Sequence, residues 1–172
     1  MKTFCLSLVA AFSLVQLAQA EVTVKLTKVH LCCNSCVTGA KKAVSTVDGV
    51  TPAIDKDTQT ISLTAPDLAT AQKAVDALTK AGYFGATEDS GIKIDASTGA
   101  AGSKVQSLKV EGVHLCCPKC VKAVHAAVTA VPGVTGENAE KNAPSFVITG
   151  DFNDAEVFAA LQKAGLTGKV SK

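Results

Sequence analysis

The chain has 172 residues, of which 19% are charged and only 4% aromatic, with a formal net charge of +2 and no arginine. Nucleic-acid surfaces draw on arginine, clustered lysine and stacking aromatics, so this composition speaks against a nucleic-acid partner. After the first twenty residues no apolar stretch reaches the roughly 20 residues that span a bilayer, so stable membrane insertion is not expected either.

The N-terminal segment has its own composition. Lys2 gives a positive start, an apolar run extends from Phe4 to Leu17, and Ala18-Gln19-Ala20 supplies a small-x-small cleavage pattern. Residues 1–20 therefore read as a signal peptide cut after Ala20, placing the mature chain in the periplasm or outside the cell. Next, Val22, Val24 and Leu26 alternate with polar residues and mark a half-buried strand. The octet His30-Leu31-Cys32-Cys33-Asn34-Ser35-Cys36-Val37 follows. Val37, Ala40, Val44 and Val47 then fall at helical spacing, with Gly49 expected to stop the helix. Ile61 and Leu63 mark a strand, Leu68, Ala71, Val75 and Leu78 an amphipathic helix, and Tyr83 to Glu88 a short closing strand.

Residues 91–104 contain Ser97-Thr98-Gly99-Ala100-Ala101-Gly102-Ser103, the composition of a flexible linker. The whole order then recurs. Leu108 and Val110 mark a strand, and His114-Leu115-Cys116-Cys117-Pro118-Lys119-Cys120-Val121 repeats the octet. A helix on Val121, Val124, Val128 and Val131 should stop at Gly133; Phe146 and Ile148 mark a strand, Val157, Phe158 and Leu161 a helix, and Thr167 to Val170 a closing strand. The chain reads as an α+β protein with two tandem ferredoxin-like βαββαβ domains, residues 21–90 and 105–172, after a signal peptide.

Of the seven cysteines, all but Cys5 lie in the two octets, together with two of the three histidines. A disulfide framework would spread its cysteines to staple distant loops, and neighbours such as Cys32 and Cys33 do not close easily into a disulfide. Two compact thiol clusters point instead to a soft metal ion or to thiol redox chemistry. Cys33 and Cys117 should lie in the loop entering a helix, with Cys36 and Cys120 in its first turn, where the helix dipole favours thiolate. That placement serves both chemistries.

A strand, Cys-x-x-Cys at a helix start, Val47-Asp48-Gly49-Val50 and Ala81-Gly82-Tyr83 in one frame resemble the heavy-metal-associated (HMA) domain. That family includes copper chaperones, N-terminal modules of copper-exporting ATPases and periplasmic mercury-binding proteins. The resemblance covers Val22 to Glu88 fully and Leu108 to Val170 more loosely. It implies that the family's two metal-binding cysteines are Cys33 and Cys36, then Cys117 and Cys120. Leu31 and Leu115 stand where the family carries methionine, and Tyr83 matches a residue beside the metal loop that the second copy replaces with Leu166. Two departures accompany the match: His30 and His114 replace a glycine, and Cys32 and Cys116 replace a threonine. If Leu31 faces the core, His30 and Cys32 point the other way, to solvent beside the metal loop. Those four residues are candidate additional ligands. His125 reads as an ordinary solvated helix residue.

The expected function is that of an exported, soluble, non-enzymatic heavy-metal-binding protein, a metallochaperone or scavenger with one loop per domain. Cu(I) is the first candidate cargo, Hg(II) and Zn(II) the alternatives. Partners would be a metal donor or acceptor such as a membrane transporter, and exposed loops also allow a metal-bridged dimer. A periplasmic thiol–disulfide oxidoreductase is the alternative from another class, and a metal-sensing module for a membrane partner is a third reading.

Overall fold

The computed structural model describes residues 20–171; apart from Ala20, the expected signal peptide lies outside them. The first half runs β1 (Val22–Leu26), α1 (Asn34–Val44), β2 (Thr51–Asp55), β3 (Thr60–Ala65) and α2 (Leu68–Lys80). The second runs β4 (Lys104–Glu111), α3 (Pro118–Thr129), β5 (Val134–Glu137), β6 (Ser145–Asn153), α4 (Asp154–Lys163) and β7 (Lys169–Val170). Among the described residues these form two antiparallel sheets, ordered β1-β3-β2 and β5-β6-β4-β7, with four helices.

Period-two patterning sets the sheet cores. Ile61, Leu63 and Ala65 of β3 are buried while their neighbours are half-exposed, and Val24 pairs directly with Leu63 across the ladder. Helical spacing sets the other layer: α1 buries Cys36, Ala40 and Val44, and α3 buries Cys120, Val124 and Val128. The core face of each of these helices therefore begins with a cysteine. The second sheet has the strand order of the ferredoxin-like fold. In the first, the closing strand expected at Tyr83 to Glu88 is reduced to a bridge, with Thr27 and Ala86 exchanging backbone hydrogen bonds of 2.8 and 2.9 Å.

Several boundaries differ from the pattern reading. Helices α1 and α3 stop short of Gly49 and Gly133, whose φ angles of 78° and 89° instead shape the turns entering β2 and β5. After α1, the Ser45 and Thr46 hydroxyls turn back onto Lys42 O and Ala43 O at 2.9 and 2.7 Å, an alternative to helix continuation. After α3, Pro132 disfavours helical geometry in the residue before it. Leu68, expected in the core, is 42% exposed because it opens α2 immediately after its cap, Asp67, which accepts from Thr70 N.

The inter-half segment has linker composition yet is tied down. The Asp154 carboxylate accepts from Ala101 N and Ser103 N at 2.8 and 2.9 Å. Val170 N donates to Thr98 O at 2.8 Å, and the Gln162 amide donates to Ala96 O at 3.1 Å.

The C-termini of α2 and α4 join the halves. Each ends in a Schellman turn. Tyr83 N donates to Leu78 O and Gly82 N to Thr79 O, with Gly82 at φ 85°; Leu166 N donates to Leu161 O and Gly165 N to Gln162 O, with Gly165 at φ 77°. The residue leaving each turn lands on its counterpart, Tyr83 bridging Leu166 in antiparallel register. His30 N and Phe84 N both donate to Gly165 O, at 3.2 and 3.1 Å, while Thr167 N donates to Gly82 O at 3.1 Å. A Cβ on Gly82 would strike the backbone at Gly112 and His114, and one on Gly165 the backbone at Lys28 and His30. Each glycine thus lets one half press against the segment that leads into the other half's octet.

Candidate metal centre

Both cysteine loops start their helices in the same unusual way. Cys33 and Cys117 are the N-cap residues of α1 and α3, in extended geometry, and neither makes a side-chain cap hydrogen bond. The other two helices are capped conventionally by Asp67 and Asn153. At α1 and α3 the side chain that would satisfy the helix end is committed elsewhere.

That commitment is to one shared cluster. Within the first loop, Cys36 Sγ lies 3.6 Å from Cys32 Sγ and 3.8 Å from Cys33 Sγ. The second loop repeats this, with Cys120 Sγ 3.7 Å from Cys116 Sγ and 3.7 Å from Cys117 Sγ. Between the halves the sulfurs approach as closely or closer: Cys32 to Cys117 is 3.4 Å, Cys36 to Cys116 3.4 Å, Cys32 to Cys120 3.6 Å, Cys36 to Cys120 3.8 Å and Cys33 to Cys116 4.0 Å. All six are free thiols, far beyond the disulfide bond length of about 2.05 Å.

Strand alternation predicts that His30 and Cys32 point to solvent. Leu31 does face the core, at 2% exposure, so the pair points away from it. The opposite side, however, is the other half of the molecule. Cys36 and Cys120 are fully buried, and Cys32, Cys33, Cys116 and Cys117 are half-buried. Two separate exposed loops become one largely enclosed cluster.

The two histidines are not equivalent. The Tyr83 hydroxyl donates its single proton to Cys36 O at 2.8 Å, so its 2.9 Å contact with His114 Nε2 is accepted from an Nε2–H. The rings are stacked at a tilt, 4.4 Å between centroids. In the second half Leu166 stands where the first has Tyr83, and the His30 Nε2 is buried with no hydrogen-bond partner. Its ring lies with Cys32 and Cys120 in a group whose ligand atoms are all within 4.8 Å of one another. Tyr83, Gly82 and Gly165 are the site residues that the pattern of thiols did not single out as builders of the cluster. The repeated Ala-Gly after the second helix of each half was the sequence signal for the two glycines, and the resemblance had already put Tyr83 beside the metal loop.

Charge is distributed unevenly over the sulfurs. The Cys120 thiol donates to Cys36 and draws its pKa strongly down, against burial and with help from the His114 side chain and the Cys116 thiol. Cys120 moves strongly up for the reciprocal reason, being the donor, and burial adds to it. Burial, reinforced by donation to neighbouring sulfurs, raises Cys32 and Cys116. Burial also opposes ionisation of Cys117, but the backbone N–H of Cys120 and the Cys32 and Cys120 thiols outweigh it and lower Cys117 to about 6. Burial lowers His30, with the nearby Cys36 charge opposing and His114 adding, which keeps the imidazole neutral and able to ligate. Six sulfurs this close cannot all carry charge without cations among them.

His125 is solvated and pairs with Glu137 Oε1 at 2.9 Å. The sulfur and imidazole groups have the donor types and spacing to hold a soft metal ion.

No protein-family model and no curated protein sequence matches the chain. Among solved structures it is similar to the N-terminal soluble domains of Bacillus subtilis CopA, with 13% identity over 89% of this chain and 95% of that one and a TM-score of 0.34.

Proposed function

We propose that this chain is an exported heavy-metal-binding protein built from two HMA-like domains, with Cu(I) as its cargo. The observation that carries the reading is the meeting of six thiols in one cluster whose neighbouring sulfurs lie 3.4 to 4.0 Å apart. Metal–sulfur bonds of about 2.3 Å put sulfurs about 3.8 Å apart around a tetrahedral ion, about 4.0 Å around a trigonal one and about 4.6 Å across a linear one. The observed spacings support three- or four-coordinate ligation, and with it Cu(I) or Zn(II) ahead of a linear Hg(II) site. An all-thiol set with few nitrogen donors favours the softer Cu(I).

Burial of Cys36 and Cys120 supports holding a metal over thiol–disulfide exchange, which needs a thiolate that a substrate disulfide can reach. It also favours retention over rapid handover. A donor or acceptor, such as a membrane transporter or its chaperone, would first meet the half-buried Cys33 or Cys117 and exchange one thiolate at a time. The signal-peptide pattern at residues 1–20 supports a periplasmic or secreted location.

Anaerobic titration of the reduced protein with Cu(I), in competition with a chromophoric Cu(I) chelator, tests the reading. Metal should pass from the chelator to the protein. A chelator that keeps all of its Cu(I) would overturn the proposal, and X-ray absorption of Zn(II)- and Hg(II)-loaded samples would show whether either is held by more thiolates.

A further inference from the structure

Resting on the soft-metal reading, we infer that the two cysteine loops form a single polynuclear thiolate centre, not two mononuclear sites, one per half. The two shortest separations, Cys32 to Cys117 and Cys36 to Cys116 at 3.4 Å, both cross between the halves. The Cys33–Cys36 and Cys117–Cys120 pairs, which separate sites would use, are wider at 3.8 and 3.7 Å.

Those separations draw four triangles that share edges. Cys33, Cys36 and Cys116 make the first, with sides of 3.8, 4.0 and 3.4 Å. Cys36, Cys116 and Cys120 make the second, with sides of 3.4, 3.7 and 3.8 Å. Cys32, Cys36 and Cys120 make the third, with sides of 3.6, 3.8 and 3.6 Å. Cys32, Cys117 and Cys120 make the fourth, with sides of 3.4, 3.6 and 3.7 Å. Each has sides near those of a trigonal thiolate site, and each takes sulfur from both halves. The pseudo-two-fold relation exchanges the first with the fourth and the second with the third.

Cys36 and Cys120 are therefore the central bridging sulfurs, which fits their complete burial. Cys32 and Cys116, the additions to a plain Cys-x-x-Cys loop, each belong to two triangles and link the ends of the strip to its middle. His30, half-buried with its Nε2 atom enclosed and unpartnered beside Cys32 and Cys120, offers a nitrogen donor at one end that His114, held by Tyr83, does not match. Charge balance points the same way. Six thiolates around one univalent ion leave a net charge of about −5, whereas four such ions leave about −2, and buried uncompensated charge is costly. Each thiol gives its proton to solvent as its metal–sulfur bond forms.

The test is the capacity of the full chain for Cu(I), read anaerobically by native mass spectrometry with X-ray absorption on the loaded protein. Species carrying more than two and up to four Cu(I), with a metal–metal scattering path, are expected. Saturation at two Cu(I) per chain without that path overturns the shared centre while leaving Cu(I) binding intact; no bound Cu(I) overturns both. The Cys116→Ser variant, at a half-buried position, provides a second reading. It removes two of the four triangles, so capacity should fall by half, although Cys116 lies outside both Cys-x-x-Cys pairs. Unchanged capacity in the folded variant overturns the inference.

Discussion

Cys33 and Cys117 show how a single residue trades stability for a site. An N-cap serine or aspartate would hydrogen-bond the exposed N–H groups of the first turn, and such caps contribute about 0.5–2 kcal/mol. Here both positions hold cysteines that make no such bond. The paired Cys33→Ser and Cys117→Ser substitutions should raise the urea midpoint of the metal-free protein by the equivalent of about 1 kcal/mol, while weakening Cu(I) retention. A lowered midpoint would mean that the sulfurs stabilise the metal-free fold. The same sulfurs make binding depend on pH. Cys32 and Cys116 titrate above the ordinary thiol range, so each loses a proton on ligation throughout the neutral range. Cys117, lowered to about 6, is already ionised above that pH and adds one more displaced proton below it. Protons compete with metal, so apparent Cu(I) affinity should rise with pH, more steeply below about 6 than above. Competition titrations at about pH 5.5 and about pH 7.5 check this, and a flat profile would contradict it.

At the scale of elements, the Schellman turns after α2 and α4 have two uses. Their left-handed glycines end the helices, and their missing side chains admit the backbone of the opposite half. Gly165→Ala would incur strain at positive φ together with a clash at Lys28 and His30, of order 1–3 kcal/mol. The consequence should reach the metal centre, because His30 hangs on Gly165 O. Tyr83 is the sole tyrosine, and no tryptophan is present, so its emission reports on this junction directly. The variant should shift that emission and lose Cu(I) capacity together. Wild-type emission with lost capacity would place the damage elsewhere. The Asp154 clasp on residues 101–103 likewise converts a Gly/Ala/Ser segment from a free tether into a fixed span.

For the molecule as a whole, metal shared between halves should also couple their stabilities. A ligand that binds only the folded state adds about 4 kcal/mol when free at about 1,000 times its Kd. Loaded protein should melt well above the metal-free form in one transition, and removal of Cu(I) by a strong chelator should reverse the shift. Stabilisation of one half alone, seen as two separated melting transitions, would speak against a common centre. The four helices and the strands β1, β3, β4 and β6 were readable from apolar periodicity, because period two and period 3.6 are local properties of the chain, whereas β2 and β5 carried no such pattern and the strand expected at Tyr83 to Glu88 is only a bridge. Also readable were the burial of Leu31 and the arrival of Cys36 and Cys120 at the start of a helix. Helix ends were less legible: Ser45, Thr46 and Pro132 ended α1 and α3 before the glycines that pattern favours. By itself, then, the sequence determined two similar α/β halves, each presenting three thiols and an imidazole beside a helix start. Only the tertiary structure decided that the two sets face each other. That depends on Gly82, Tyr83, Gly165 and Leu166 meeting across the junction, and backbone register between segments some 80 residues apart leaves no trace in local periodicity.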